Sequence, residues 1–305
     1  MIATKNSYKI KDGTPRVVFN VCNITFLLLL STLCMLPFLN LLAISFSSKS
    51  AVVAGKVWVF PVGFTWNAYR YLLQKVDFFR AFLFSLLRVF LGTTISLAVT
   101  ALMSYPLAFA KKQLAGRRFY LAIVILSMFF NGGLVPSFIV ISKLGLYNKL
   151  WALILPGAMN CWNMILFINF FRQVPKEMME AASLEGAGHF RMLFKIVLPV
   201  SLPVVATVAL FCVVGHWNAW FDGYLYMSKE NWPLQTYIYH MMEEMKNFQL
   251  NKDKMTAEEL ELLAQSNDMT LRAAQIFIAM LPVLCVYPLA QKYFVKGILL
   301  GSVKE

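Results

Sequence analysis

Charged residues are scarce in this 305-residue sequence. They make up 14% of it, against about 25% in an average soluble domain, while hydrophobic residues make up 59%. The 15 acidic residues all lie outside the long apolar runs, and Asp222, at the end of one run, comes nearest. This composition excludes an ordinary soluble domain and predicts an integral membrane protein. It also disfavours an ion-coupled carrier, because such carriers usually need carboxylates within the membrane.

Several chemical signatures are also absent. The sequence has no G-x-x-x-x-G-K-[ST] loop for ATP, no CxxC pair and no metal-ligand spacing. No Ser/His/Asp, Cys/His or paired-carboxylate set indicates catalysis, so we expect no enzyme, no cofactor and no metal. The five cysteines lie in or beside apolar runs, where they are expected to be small buried hydrophobes. If this protein moves a solute uphill, another subunit must supply the energy.

The sequence is rich in apolar stretches that are long enough to cross a bilayer. A hydrocarbon core of about 30 Å takes roughly 20 helical residues. The stretches of this length are Phe19–Phe46, Ala81–Phe109, Phe119–Ile141, Leu150–Phe171, Ile196–Trp217 and Ala273–Phe294. Because they are continuous and do not alternate, helices are favoured over strands. We therefore predict an all-α integral membrane protein with six transmembrane helices. Asn131-Gly132-Gly133 and Pro136 can kink or end the third helix at its outer face.

Basic residues set the expected orientation. Lys111, Lys112, Arg117 and Arg118 follow the second stretch closely, and the N-terminus, the loop after the fourth stretch and the C-terminal tail are also basic. Short cytoplasmic loops carry an excess of Lys and Arg, so both termini are expected in the cytoplasm. The net charge of +13 is then matched by inner-leaflet lipid, and no nucleic acid is implied.

The expected organisation follows from these spans and charges. Residues 1–18 and 295–305 form cytoplasmic tails, and residues 19–294 form the transmembrane domain. Within it lie an inner loop, 172–195, and an outer loop, 222–272. Arg88 is the one Lys or Arg clearly within a span, near its outer end, where snorkelling to the interface is favoured over a role in a solute pathway.

The outer loop carries two helical patterns. The first starts at Pro233, which suits the first position of a helix, and has apolar residues at helical spacing: Leu234, Tyr237, Ile238, Met241, Met245 and Phe248. The second starts at a capping box, Thr256 and Glu259, with Met255 and Leu260 as its hydrophobic staple. The pattern fits contact with an external partner and equally fits a cap lying on the membrane surface.

The inner loop contains the segment PKEMMEAASLEGAGHFRMLFKIVLP, residues 175–199. Pro175 can start a helix, Glu177 and Glu180 suit its early turns, and Gly186 can end it. Ala181 and Ala182 provide a small face that allows another surface to approach closely. The residues alone fit a docking helix and also an ordinary solvated connection.

This segment resembles the signature loop of permease subunits of binding-protein-dependent ABC transporters. The family pattern is E-A-A, three residues, G, nine residues, then I-x-L-P. Its positions here, with the residue after the glycine, are Glu180, Ala181, Ala182, Gly186, Ala187, Ile196, Leu198 and Pro199. The resemblance implies a coupling helix that sits in a cleft of the ATPase and converts nucleotide-driven closure into movement of the spans. Glu185 departs from the pattern, since the family commonly has Asp there.

Other segments extend the resemblance from about the first span to the C-terminus. Residues 104–108 with 116–118 resemble the end of the second span in maltose-type permeases, while FNGGLVPSFIVISKLGLYNKLWALILPGAMNCWN and YFVKGILLGSVKE resemble the oligosaccharide branch. The resemblance implies the type I ABC importer permease fold and a sugar substrate. It further implies a homologous second permease, two ATPase copies and an extracytoplasmic solute-binding protein. The tail ends Val303-Lys304-Glu305, where the family often ends in Gly.

An aromatic and polar segment closes the fifth span, and its members are Trp217, Asn218, Trp220, Phe221 and Asp222. Pyranose C–H faces stack on aromatic rings while sugar hydroxyls need polar partners, so the segment is a candidate translocation path. An interfacial aromatic belt explains the same residues without a ligand. Three further hypotheses stay open: a non-sugar ABC permease, a self-sufficient channel or secondary carrier, and a membrane scaffold or receptor.

Overall fold

The computed structural model describes residues 14–74, 76–109, 115–130, 132–251 and 269–302, and the regular structure within these ranges is helical. The first helices are α1 Thr14–Ser45, α2 Lys49–Val53, α3 Asn67–Gln74, α4 Val76–Phe109, α5 Arg117–Phe129, α6 Leu134–Lys143 and α7 Trp151–Ile154. They are followed by α8 Cys161–Phe171, α9 Lys176–Leu184, α10 His189–Met192, α11 Leu198–Val200, α12 Leu202–Asn218, α13 Phe221–Tyr226, α14 Leu234–Asn251 and α15 Met269–Ser302. Short 3₁₀ turns at Leu155–Gly157 and Lys229–Asn231 and a π-helical turn at Leu193–Val197 complete the set.

Three of the helices are long and apolar enough to cross a membrane unbroken. They are α1, α4 and the first part of α15, Met269–Val286, and they overlap the first, second and sixth predicted spans. An α-helix of 20 residues is about 30 Å long, which matches the hydrocarbon thickness. The structure therefore confirms that these three stretches form long helices.

The other three stretches are each divided between two helices. The third ends at Phe129 and resumes at Leu134 after Gly133, whose φ of 86° favours glycine, so the predicted break is confirmed. The fourth bends by 50° after Gly157, and the fifth bends by 86° before Leu202. The apolar runs did not indicate these two bends. Prolines lie at or beside both bends, and proline removes a backbone donor and tends to kink or break a helix.

Two compact units divide the chain: residues 1–70 with 264–277, and residues 71–263 with 278–305. In the first unit, the segment after α1 folds back on the end of that helix. Phe46 packs against Phe64, Trp66 and Tyr69, with ring centroids 5.5, 4.9 and 4.8 Å away. The hydroxyls of Ser45 and Tyr69 lie 2.8 Å apart.

The second unit is built around α4, which packs mainly against α12 and α8. Its buried side includes small and polar residues at helical spacing: Ser85, Arg88, Gly92, Ser96, Thr100 and Ser104. Small residues let neighbouring helix backbones approach closely within a membrane. Ser104 Oγ donates to the carbonyl of Met164 in α8 at 3.3 Å. On the other side of the core, Phe167 and Phe171 of α8 are fully buried.

The first part of the outer loop, residues 222–251, is folded on the second unit. Its first predicted helix is confirmed as α14, and its first amide, Leu234 N–H, donates to Ser85 Oγ of α4 at 2.7 Å. This bond satisfies one of the donors that a helix leaves unpaired at its N-terminus. The second predicted helix, with Thr256 and Glu259, lies outside the described residues.

Candidate functional site

The inner loop forms the helix that its sequence predicts. Helix α9 spans Lys176–Leu184, directly after Pro175, and Glu177 lies in its first turn, where the helix dipole favours an acid. Gly186 follows with a φ of 76°. Gly186 N–H donates to Ser183 O at 3.0 Å and Ala187 N–H to Ala182 O at 2.9 Å. These two bonds form a Schellman motif, so the glycine ends the helix and reverses the chain.

The same helix has an inward and an outward side. Ala182 is buried in the hydrophobic core, and Met179, Ala187, Ile196 and Leu198 pack against that core as partly buried residues. Among the signature positions, the ones that position the loop are therefore Ala182, Ala187, Ile196 and Leu198. The exposed signature positions are Glu180, Ala181, Gly186 and Pro199.

Large apolar side chains project from this end of the bundle. Leu184 is 90% exposed, Phe190 72% and Phe194 56%. Leu184 directly precedes Glu185, and Glu177 and Glu180 lie one to two helical turns before Leu184 on α9. Exposed apolar side chains grouped within a charged surface are typical of protein–protein contacts. Burying one leucine side chain contributes about 1.5–3 kcal/mol, so Leu184 alone could support docking.

A cavity of about 730 Å³ lies between the C-terminal end of α4 and the inner loop, and its polar lining includes Tyr105, Arg172, Lys176, Glu180 and His189. Desolvation, and then the nearby positive charge of Arg117, lower the pKa of Arg172 below its ordinary value. Among the described residues no carboxylate pairs with Arg172. The cavity lining therefore carries two cations, Arg172 and Lys176, together with one acid of α9, Glu180.

Near the C-terminal end of α12, Arg88 of α4 joins three structural elements, namely α4, the end of α12 at Ala219, and α13. It donates to Asp222 Oδ1 of α13 and to the carbonyl of Ala219, both at 3.2 Å, and a second guanidinium nitrogen contacts Asp222 Oδ2. The arginine side chain is 2% exposed and the aspartate side chain 29%. The preference for snorkelling was therefore wrong: Arg88 is buried within the protein, where Asp222 and the carbonyl of Ala219 bind two of its three guanidinium nitrogens and Nε has no partner among the described residues.

The predicted aromatic segment is only partly available to a ligand. Trp217 is buried, and its indole N–H donates to the carbonyl of Ala279 at 2.8 Å. Trp220 stacks on Tyr239 with ring centroids 3.8 Å apart. Asn218 and Phe221 are exposed. The surface that a sugar could reach therefore includes Asn218, Phe221, part of Asp222, Tyr224 and the edge of the Trp220–Tyr239 stack, and Trp217 serves packing.

Two contacts that the sequence did not indicate fix this outer segment. Asn148 Oδ1 accepts from the backbone and hydroxyl of Ser228, at 3.0 and 2.9 Å, and from Asn231 Nδ2 at 3.2 Å. Asn148 has a φ of 58°, and asparagine after a Gly-x-x turn is the local signal for that conformation. The second contact is the close packing of Gly223 against Thr236, because a Cβ at residue 223 would lie 2.2 Å from Thr236 Oγ1.

Comparison with known proteins identifies the family to which this chain belongs. Residues 23–299 match the family described as the binding-protein-dependent transport system inner membrane component. The chain belongs to this family. It is accordingly a permease subunit, a helical transport component of the inner membrane with several spans, and it works together with a solute-binding protein. The expectations of an ABC permease and of a transport component instead of an enzyme are confirmed.

Individual relatives agree along nearly the whole chain. The permease is 40% identical to Protein LplC of Bacillus subtilis (strain 168) over 288 residues, covering 94% of this chain and 95% of that protein. It is 36% identical to the polygalacturonan/rhamnogalacturonan transport system permease protein YtcP of the same organism, covering 94% and 98%. One solved structure, a bacterial ABC transporter involved in the import of the acidic polysaccharide alginate, contains a chain that matches with a TM-score of 0.81. That chain is 28% identical, with 93% of this chain and 99% of the other covered.

Proposed function

We propose that this permease imports an oligosaccharide across the cytoplasmic membrane, with α9 docked on a separate ATPase and both termini in the cytoplasm. The observation that carries the docking is the construction of α9. Its Schellman end and buried Ala182 hold the helix on the bundle, while Leu184 is left 90% exposed beside three acids. A connecting loop needs no such surface.

The proposed assembly contains a homologous second permease, two copies of the ATPase and the solute-binding protein. The outer loop is the proposed contact for the binding protein. Support comes from the bonds that hold this loop on the permease: Leu234 N–H to Ser85 Oγ, Thr236 Oγ1 to the carbonyl of Trp220 at 2.7 Å, and the three bonds to Asn148. A loop held at both its start and its turn can present a fixed surface to a partner.

The sugar assignment rests on two supports. Relatives along nearly the whole chain have names that refer to polysaccharides, among them a polygalacturonan/rhamnogalacturonan permease and an alginate transporter. The outer segment also presents Asn218 and Phe221 beside the Arg88–Asp222 pair, which combines an apolar face with polar groups. Burial raises the pKa of Tyr226 in the same segment, and the negative charge of Asp222 raises it further, so this phenol stays neutral at physiological pH.

The proposed function is tested by reconstituting the permease with its natural partners in proteoliposomes. We expect ATP hydrolysis to rise several-fold when an oligosaccharide of the cognate class is added with the binding protein. Oligogalacturonate, a neutral oligosaccharide and a short peptide serve as the trial solutes. Stimulation by the peptide alone would replace the sugar assignment with a non-sugar importer, and uptake without ATP would favour a channel or secondary carrier.

A matched pair of variants tests the docking surface in the same preparation. Leu184→Ser removes the exposed side chain from α9, and Leu144→Ser removes a side chain that is 66% exposed next to α6. We expect only the first to reduce co-purification of the ATPase and stimulated hydrolysis. Equal behaviour of the two variants would contradict docking through α9.

A further inference from the structure

Helix α1 has a bare part and a covered part. Its side chains are exposed from Thr14 through Phe38, and they become partly or fully buried from Leu39 onward, with Ala43 at 3% and Ser45 at 1%. Counted from Phe19, where the apolar run begins, the bare part is 20 residues long and spans about 30 Å. This equals the hydrocarbon thickness of a bilayer, so the outer hydrocarbon boundary lies near Phe38.

The segment that covers the rest of α1 runs from Phe46 to Trp66, and its depth can be read from its hydrogen bonds. Asn40 Nδ2 donates to the carbonyls of Val57 and Trp58, which places Trp58 level with Asn40. At 1.5 Å per residue, Asn40 lies about 3 Å beyond Phe38. Thr65 N–H donates to the carbonyl of Phe46 at 2.8 Å, so Thr65 lies about 12 Å beyond the same boundary.

Trp58 and Phe60 project from this segment although the fold could have buried them. They are 78% and 80% exposed, whereas the neighbouring Val57 is buried with Ala43 and Ala51. The segment is ordered by its own contacts, namely the Phe46 ring cluster and the bond from Ser48 N–H to the carbonyl of Val62 at 3.0 Å. The two aromatic rings are therefore held in an exposed position by an ordered segment.

The charge of the segment is of one sign. No acidic residue occurs between Asp12 and Asp77, while Lys56, two residues before Trp58, is exposed. Tryptophan is enriched where membrane meets water, because its ring is apolar and its N–H is polar. A lysine close to that level can extend its ammonium to lipid phosphates.

We propose that Trp58 and Phe60 insert into the outer-leaflet interface and fix the outer end of α1 in the bilayer. The partner is the phospholipid surface, with the rings at the glycerol level and Lys56 among the phosphates. The agreement of three observations carries this assignment: the 20-residue bare length, the level of Trp58 beside Asn40, and the outward aromatic pair without acids. The proposed anchoring is independent of the transported solute.

Depth-resolved fluorescence in lipid nanodiscs tests the proposal on the permease assembled with its natural partners. Single cysteines at positions 30, 58 and 67, in a background without the five native cysteines, carry an environment-sensitive label. Leu30 is exposed within the bare part of α1, and Asn67 is exposed two residues after Thr65. Nitroxide lipids quench either at the headgroup or deep in the acyl chain. We expect deep quenching at 30, headgroup-level quenching at 58 and at least threefold weaker quenching of both kinds at 67.

Native tryptophan provides a second measurement that does not disturb the segment with a label. Brominated lipids should quench the wild-type fluorescence more than that of Trp58→Phe. The buried Trp232→Phe is the matched control and should leave the lipid-dependent fraction unchanged. The proposal is overturned if position 58 behaves like position 67. It is also overturned if protection at position 58 appears only when binding protein or saccharide is added, because the rings then belong to a soluble partner.

Discussion

The role of Arg88 follows from the structure and could not be predicted from the sequence. A charged side chain inside a membrane protein is costly unless other groups replace its hydration. Here Asp222 and the carbonyl of Ala219 supply three contacts, although the residues are more than a hundred positions apart in the chain. Sequence spacing could not indicate this pairing, since it depends on how α4, α12 and α13 come together. Arg88, the Ala219 break and Asp222 therefore act as one unit.

The pair predicts an asymmetric response to mutation. In Asp222→Ala the buried guanidinium loses its counter-charge, and breaking a buried pair in this way costs about 3–5 kcal/mol. In Arg88→Met the remaining carboxylate is 29% exposed and can recover water, so we expect a smaller loss. The double variant Arg88→Met/Asp222→Ala should be more stable than Asp222→Ala alone. Thermal unfolding in one detergent, followed by intrinsic fluorescence, measures the order. Equal single losses that add in the double variant would contradict the pairing.

At Gly186, the backbone conformation favours glycine over other residues. Its φ of 76° is strained for other residues, whereas Gly188 has a φ of −69°, and a Cβ at either position would meet no atom within 4 Å. Replacing Gly186 with Val should therefore cost roughly 1–3 kcal/mol in local strain and distort the end of α9. Gly188→Ala is the control. We expect the first variant to lose solute-stimulated ATP hydrolysis at near-normal abundance and the second to keep it. Normal coupling in Gly186→Val would show that the loop is a plain connector.

At the scale of elements, the prediction succeeded where hydrophobic runs alone decide the structure. Helices α1, α4 and α15 follow from length and apolarity, and α9 and α14 follow from their proline starts and periodic residues. The break at Gly133 was expected because consecutive glycines interrupt the run. The bends after Gly157 and before Leu202 were missed, since the apolar runs continue through Pro156 in the fourth stretch and through Pro199 and Pro203 in the fifth. Hydropathy averages over a window and so hides one or two prolines.

The contact between α4 and α12 depends on a missing side chain. A Cβ at Gly92 would lie 2.5 Å from the imidazole Nε2 of His216, while a Cβ at Gly215 would meet nothing within 4 Å. We predict that Gly92→Ala forces the two helices apart and destabilises the protein by about 1–3 kcal/mol, the usual cost of overpacking. Gly215→Ala should be neutral or slightly stabilising, because alanine is the better helix former. Thermal unfolding of the two variants checks this, and similar unfolding temperatures would mean that His216 can move aside.

Across the molecule, one helix connects the two candidate regions. The outer end of α4 carries Ser85 and Arg88, which bond the outer segment and α14. Its inner end, from Leu102 to Phe109, lines the cavity beside α9. Energetic coupling between distant sites is carried by rigid elements that contact both. Helix α4 is therefore the physical connection through which docking at α9 and contact at the outer loop can influence each other.

This arrangement requires that the two ends of α4 lie on opposite sides of the membrane, which predicts a specific labelling pattern. In a background without native cysteines, a cysteine at Gly188, beside α9, should resist an impermeant thiol reagent in intact cells and react after permeabilisation. A cysteine at Lys229, between α13 and α14, should react from outside. Both positions are exposed in the protein, so differences in reaction report the membrane and not burial. Labelling of position 188 in intact cells would place α9 outside, where it could not meet an ATPase that uses cytoplasmic ATP.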